Sequence, residues 1–142
     1  MQAVDYFILL CYDAPMNESN EIPWYIAGLA FECSECGRCC AGPEEGYVWA
    51  TSDELDTMAE HFDMTPAAFR KQYVRQIGRR LSLVEKKPTH DCIFLHKGKC
   101  SVYQVRPTQC RTWPFWAGNV ESPEEWAWAG QWCEGINRGK LH

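Results

Sequence analysis

Between positions 33 and 40 the chain reads Cys33-x2-Cys36-x2-Cys39-Cys40. Gaps of two residues let a turning backbone aim successive sulfurs at one ion or cluster, as in four-thiolate zinc sites. The surrounding stretch 31–42 (FECSECGRCCAG) is too crowded with cysteine and glycine for a regular helix and suits a folded ligand loop. Cys39 and Cys40 are adjacent, and neighbouring side chains in most backbone conformations point apart. That spacing predicts that the two serve different centres, or different irons of one cluster.

Whether thiols mean disulfides or metal depends on compartment. The early apolar run Tyr6 to Tyr12 (YFILLCY) follows an aspartate rather than a basic region. It is far shorter than the roughly 20 residues that span a bilayer. We therefore expect a cytoplasmic protein, where reducing conditions favour metal-bound thiolates, and nine cysteines in 142 residues are an odd number to pair. Fourteen Lys and Arg against nineteen Asp and Glu give a net charge of −5. That balance argues against a nucleic-acid surface or a polybasic membrane anchor, since both depend on clustered positive charge.

The chain is expected to comprise an arm or linker at 1–23, with Cys11 as a buried free thiol, and a cysteine-cluster domain at 24–142. Within that domain, 46–50 (GYVWA) reads as a short strand. Thr51 to Glu54 is a capping-box pattern followed by Leu55, Met58, Ala59 and Phe62 at helical spacing. A second helix begins at Thr65-Pro66 and puts Phe69, Tyr73 and Ile77 on one stripe before Gly78. Leu81 to Lys87 alternates like an exposed strand. Cys92 to Leu95 and Cys100 to Tyr103 flank the turn-like HKGK and predict a hairpin or knuckle. Ser122-Pro123-Glu124-Glu125 opens a last helix that runs to Cys133. On it Trp126, Ala129, Gly130 and Cys133 share one side, while Trp128 and Trp132 lie opposite and need a partner in this chain or outside it. The expected fold is small α+β, with an irregular cysteine-rich core covered by about three helices and short strands.

The four later cysteines, Cys92, Cys100, Cys110 and Cys133, are the available supply of further ligands. The bacterial ferredoxin run C-x2-C-x2-C-x3-C-P fits Cys33, Cys36 and Cys39, but its fourth position falls on Pro43. Eight thiols suggest two tetrahedral four-thiolate sites or one site with a larger cluster, holding zinc or iron. Four thiolates around a dication leave about −2, to be offset by cations and hydrogen bonds. Arg38, Arg106 and Arg111 are placed for that, with Arg106 and Arg111 bracketing Cys110. Trp113, Phe115 and Trp116 are expected to wall the centre from water. His90 and His96 flank Cys92 but read as ordinary histidines in polar turns, and Glu44-Glu45 as a solvated turn. No P-loop, dinucleotide fingerprint or nucleophile triad pattern is present.

FECSECGRCC, then DCIFLHKGKCSVYQVRPTQCRTWPF, then Cys133 resembles the bacterial cysteine-cluster family known by its CxxCxxCC motif, the YkgJ-like proteins. The shared features are Cys33, Cys36, Cys39, Cys40, Cys92, Phe94-Leu95, Cys100, Tyr103, Arg106-Pro107, Cys110-Arg111 and Pro114, within about 31–135. The resemblance implies chelation of zinc or iron, mononuclear or as an iron–sulfur cluster; flagellin lysine N-methylases carry a similar cysteine region. The expected function is metal binding through the eight thiolates in a metal-handling or electron-transfer role. The alternative is an iron–sulfur oxidoreductase or methyl-transfer-associated enzyme with an open metal position.

Overall fold

The computed structural model of the chain describes residues 22–142. The apolar run Tyr6 to Tyr12, the arm or linker up to residue 21 and the Cys11 thiol lie outside the described residues. In chain order the elements are β1 (Ala30–Phe31), β2 (Trp49–Ala50), α1 (Ser52–His61), α2 (Pro66–Tyr73), β3 (Val74–Ile77), β4 (Arg80–Leu83), β5 (Leu95–His96), β6 (Lys99–Cys100), α3 (Thr108–Arg111), α4 (Ala117–Val120), α5 (Pro123–Trp132) and β7 (Lys140–Leu141). Short 3-10 turns occupy Arg38–Cys40 and Tyr103–Val105. The fold is α+β. Its described residues divide into two compact units, Glu35–Trp116 and residues 22–34 together with Ala117–His142.

In the Glu35–Trp116 unit, β2, β4 and β3 form an antiparallel sheet in that order. Helix α1 starts where its capping box says: Thr51 Oγ1 accepts from Glu54 N, and Glu54 Oε2 accepts from Thr51 N. Its periodic residues Leu55, Met58 and Ala59 are fully buried. Helix α2 has Thr65 as its cap and Pro66 in its first turn. It stops at Tyr73 instead of running to Ile77 as the stripe implied. Val74 and Ile77 are β-branched and leave the helix to pair with Leu83 and Arg80, around a turn that Gly78 makes at φ +60°. The strand expected to be exposed is central instead, with Ser82 and Leu83 buried. Ser82 survives burial because its hydroxyl accepts from Val48 N and donates to Leu83 O.

Leu55, Met58, Phe69, Leu83, Phe94 and Val102 make the core of this unit. Four aromatic rings knit it together. Phe62 stacks on Phe94 at 5.6 Å, Phe94 lies parallel to Phe69 at 6.1 Å, and Tyr73 tilts against both. Each fully buried ring stabilises by roughly 1.5–3 kcal/mol over its exposed state. Phe94 is therefore an anchor two residues after Cys92, so the core fixes the backbone from which that thiol projects.

In the other unit, β1 pairs antiparallel with β7, Ala30 opposite Leu141 and Phe31 opposite Lys140. Ser122 caps α5 by accepting from Glu125 N, and Pro123 opens it. Trp126 and Ala129 are buried, and the Trp126 indole donates to Asn137 Oδ1 at 3.1 Å. Trp128 and Trp132, on the opposite side of the helix, are 52% and 59% exposed and meet edge to face at 6.1 Å.

Candidate metal centre

The loop 36–42 is fastened along its length to the segment 89–100. Gly37 enters the Arg38–Cys40 turn at φ +74°, and a Cβ there would stand 2.3 Å from the Gly98 carbonyl oxygen. Only glycine admits so close a backbone approach. Cys92 N donates to Cys40 O at 2.7 Å, and Gly42 N donates to Asp91 Oδ1 at 2.9 Å. Lys97 and Gly98, both at positive φ, close the tight hairpin between β5 and β6 and set Cys100 opposite Leu95.

Cys110 arrives on α3, a helix too short to hold itself. Its first turn is gripped from outside: Glu54 Oε1 accepts from Thr108 N at 2.7 Å and from Thr108 Oγ1 at 2.6 Å. One carboxylate thus caps α1 with one oxygen and α3 with the other. The Gln109 side chain accepts from Trp49 N and donates to Tyr47 O, at 2.8 and 2.9 Å. Arg111 reaches back to Arg106 O and Thr108 Oγ1.

These supports bring Cys39, Cys40, Cys92, Cys100 and Cys110 into mutual electrostatic range. The Cys39 and Cys40 sulfurs are 4.0 Å apart, so the adjacent side chains do not point apart as expected. A 3-10 turn advances about 120° per residue, which leaves successive side chains on neighbouring sides of the turn. Contact with Cys40 holds the Cys39 thiol down at about 7 against the opposing effect of burial, with Arg106 assisting. Contact with Cys40 likewise brings Cys100 down to about 6, again against burial and with Arg106 assisting. Cys40 itself is pushed well above the ordinary thiol range, first by Cys100, then by Cys39 and by burial. Burial raises Cys92, and burial with the neighbouring Cys92, Cys39 and Cys100 raises Cys110 to about 12. Cys39, Cys40 and Cys100 thus share their protons and titrate together rather than singly.

Arg106 bears on most of this cluster, acting on Cys39, Cys100 and Cys110, while Lys86 acts on Cys92. It is fixed in place, its Nε donating to Tyr103 O at 2.9 Å and its guanidinium lying 3.6 Å over the Tyr103 ring. Arg111 is committed to the α3 turn, and Arg38 is exposed. Cys36 is half-buried in the same unit. Cys33 is exposed and Cys133, at the end of α5, is half-buried; both belong to the other unit. His90 Nδ1 pairs with Glu85 at 3.1 Å, His96 is exposed, and Glu45 pairs with Arg75. Trp116 donates its indole N–H to Gln109 O, and the Trp113 ring meets it edge to face.

Among the described residues, no three His, Cys, Asp or Glu side chains already surround one point as metal ligands. The donor chemistry nevertheless fits a metal. Five neighbouring sulfurs, three of them under the influence of one fixed guanidinium, are soft ligands suited to zinc or to iron–sulfur chemistry and unsuited to magnesium or calcium. Glu54, Gln109 and Asp91 are supporting residues that the sequence did not mark. Glu54 was legible as the cap of α1, but nothing in the sequence joins it to Thr108, 54 positions away.

A sulfur-rich cluster on an irregular α+β scaffold defines the class as a small cysteine-cluster domain. The chain belongs to the CxxCxxCC family, described as "Putative zinc- or iron-chelating domain", whose profile matches residues 32–134. An uncharacterized protein of Methanocaldococcus jannaschii is 32% identical over 101 residues, covering 70% of this chain and 52% of that protein. The chain thus spans about half the length of this relative. No solved structure matches the chain. Among the described residues, no helix is long and apolar enough to cross a membrane.

Proposed function

We propose that the protein binds zinc or iron through cysteine thiolates, with the cluster in the Glu35–Trp116 unit as a principal centre and a metal-handling role. The observation that carries this reading is the gathering of Cys40, Cys92, Cys100 and Cys110 in one unit, with Arg106 acting on Cys100 and Cys110 and with Cys39 lying against Cys40 at its edge. Three separate parts of the chain, the 36–42 loop, the β5–β6 hairpin and α3, deliver these sulfurs. Each is held in place by its own hydrogen bonds. Free thiols packed only as small apolar groups would not need a buried-side guanidinium stacked on a tyrosine beside them. When bound, a dication would draw the thiols into their ionised form and release their protons. Arg106 would then offset part of the remaining negative charge.

Metal analysis together with a visible spectrum of anaerobically purified protein tests this. Zinc or iron bound at one or more equivalents per chain is expected. A colourless zinc protein assigns a closed thiolate site, and a brown protein with iron and labile sulfide assigns an iron–sulfur form. Protein purified under those conditions with neither metal, and unable to take up either when reduced, refutes the reading.

A further inference from the structure

Five sulfurs gather in a unit where a tetrahedral ion needs four. They are not equivalent. Cys40, Cys92, Cys100 and Cys110 are half-buried, whereas Cys39 is exposed. Cys92 N donates to Cys40 O at 2.7 Å, and Cys100 acts on Cys40, Cys92 and Cys110, which ties the half-buried four together. Cys39 touches them from the solvent side, with its sulfur 4.0 Å from that of Cys40.

Two thiolates that bind one zinc ion at about 2.3 Å in tetrahedral geometry sit roughly 3.8 Å apart. Cys39 therefore needs little movement to enter the coordination sphere of an ion already bound by Cys40. Resting on the metal-binding reading above, we infer that Cys40, Cys92, Cys100 and Cys110 hold the ion, and that Cys39 is an exchange thiol through which it is handed outward. In the exchange the Cys39 thiol gives its proton to water and bonds the ion. One inner metal–sulfur bond breaks, and that sulfur takes up a proton. The oxidation state of the metal and the net charge do not change. The ion then faces solvent on Cys39, open to attack by an acceptor. The cargo is a soft or borderline divalent ion, and the acceptor is a chelating group stronger than the depleted site.

Cobalt(II) loaded into the reduced full-length protein reports on this, because its visible bands reveal the number of thiolate ligands and the tetrahedral geometry. Each of the five cysteines is changed to serine, and both the bound cobalt and its rate of transfer to excess EDTA are measured. Cys39→Ser is expected to keep the wild-type four-thiolate spectrum and stoichiometry while slowing transfer about tenfold. Cys40→Ser, Cys92→Ser, Cys100→Ser and Cys110→Ser are each expected to lose the four-thiolate spectrum. Loss of one cobalt equivalent in Cys39→Ser, or transfer at the wild-type rate, overturns the inference while leaving metal binding intact. Wild-type protein that binds no cobalt, zinc or iron refutes the metal-binding reading itself.

Discussion

Glu54 is the most informative single substitution in the scaffold, because one side chain closes two helix starts. Its Oε2 accepts from Thr51 N at 2.8 Å, and its Oε1 takes both the N–H and the hydroxyl of Thr108. The side chain is only 17% exposed, so water replaces little of what is lost. In Glu54→Gln the amide accepts at one end but presents N–H groups at the other. Either Thr51 or Thr108 then faces a donor instead of a carboxylate. Losing a hydrogen bond to a charged acceptor costs about 1.5–3 kcal/mol, equivalent to roughly 5–15 °C in melting temperature for a chain of this size. Urea unfolding at pH 7 at fixed zinc measures the difference directly.

The pH dependence of that difference carries a sign. Burial raises the Glu54 carboxyl, but the bonds from Thr108 and Thr51 outweigh it and hold the group below its ordinary 4.5. Stability from a lowered carboxyl is fully present above the unfolded value and is lost as pH falls through the folded one. The gap between wild type and Glu54→Gln should thus narrow steadily in acid below about 4.5. The gap is the quantity to follow, because protonation of the cysteines in acid would weaken any bound metal equally in both proteins. A gap under about 0.5 kcal/mol at pH 7 would refute the idea that this carboxylate ties α1 to α3.

Gly37→Ala should be costly out of proportion to one methyl group, since its Cβ meets the Gly98 carbonyl oxygen and the backbone is left-handed there. Strain alone is about 1–3 kcal/mol, and we expect lowered melting temperature together with lowered metal content, checked by calorimetry and metal analysis. Arg106→Lys keeps the charge but loses the planar stack on Tyr103 and the bond to its carbonyl. Affinity for zinc should fall about tenfold or more in chelator competition, and wild-type affinity would show that Arg106 acts only as a point charge.

Sequence patterns exposed the parts of this fold that obey local rules. The Thr51–Glu54 box, Thr65-Pro66 and Ser122-Pro123 each opened a helix at the position found. The opposed faces of α5 followed from spacing alone, with Trp126 buried and Trp128 and Trp132 exposed. Where local and long-range preferences compete, sequence reasoning lost. Ile77 extends the apolar stripe of α2, yet pairing with Arg80 across the β3–β4 turn draws it into a strand. The cysteines themselves were legible as a set, but not their grouping. Proximity of Cys40 to Cys92 and Cys100 is imposed by a glycine contact and backbone bonds between distant segments, which leave no periodic trace.

The Gln109 amide has a second consequence, for the behaviour of the molecule in a crowded solution. Strand β2 lies at one edge of its sheet, where an unpaired row of backbone groups would invite a strand from another molecule. Gln109 occupies that row with one donor and one acceptor, on Tyr47 O and Trp49 N, as a visiting strand would. A side chain from the Cys110 turn thus closes the edge to its own kind. Loosening that turn would expose an adhesive margin as well as displace Cys110, so on the metal-binding reading loss of metal and self-association should begin together.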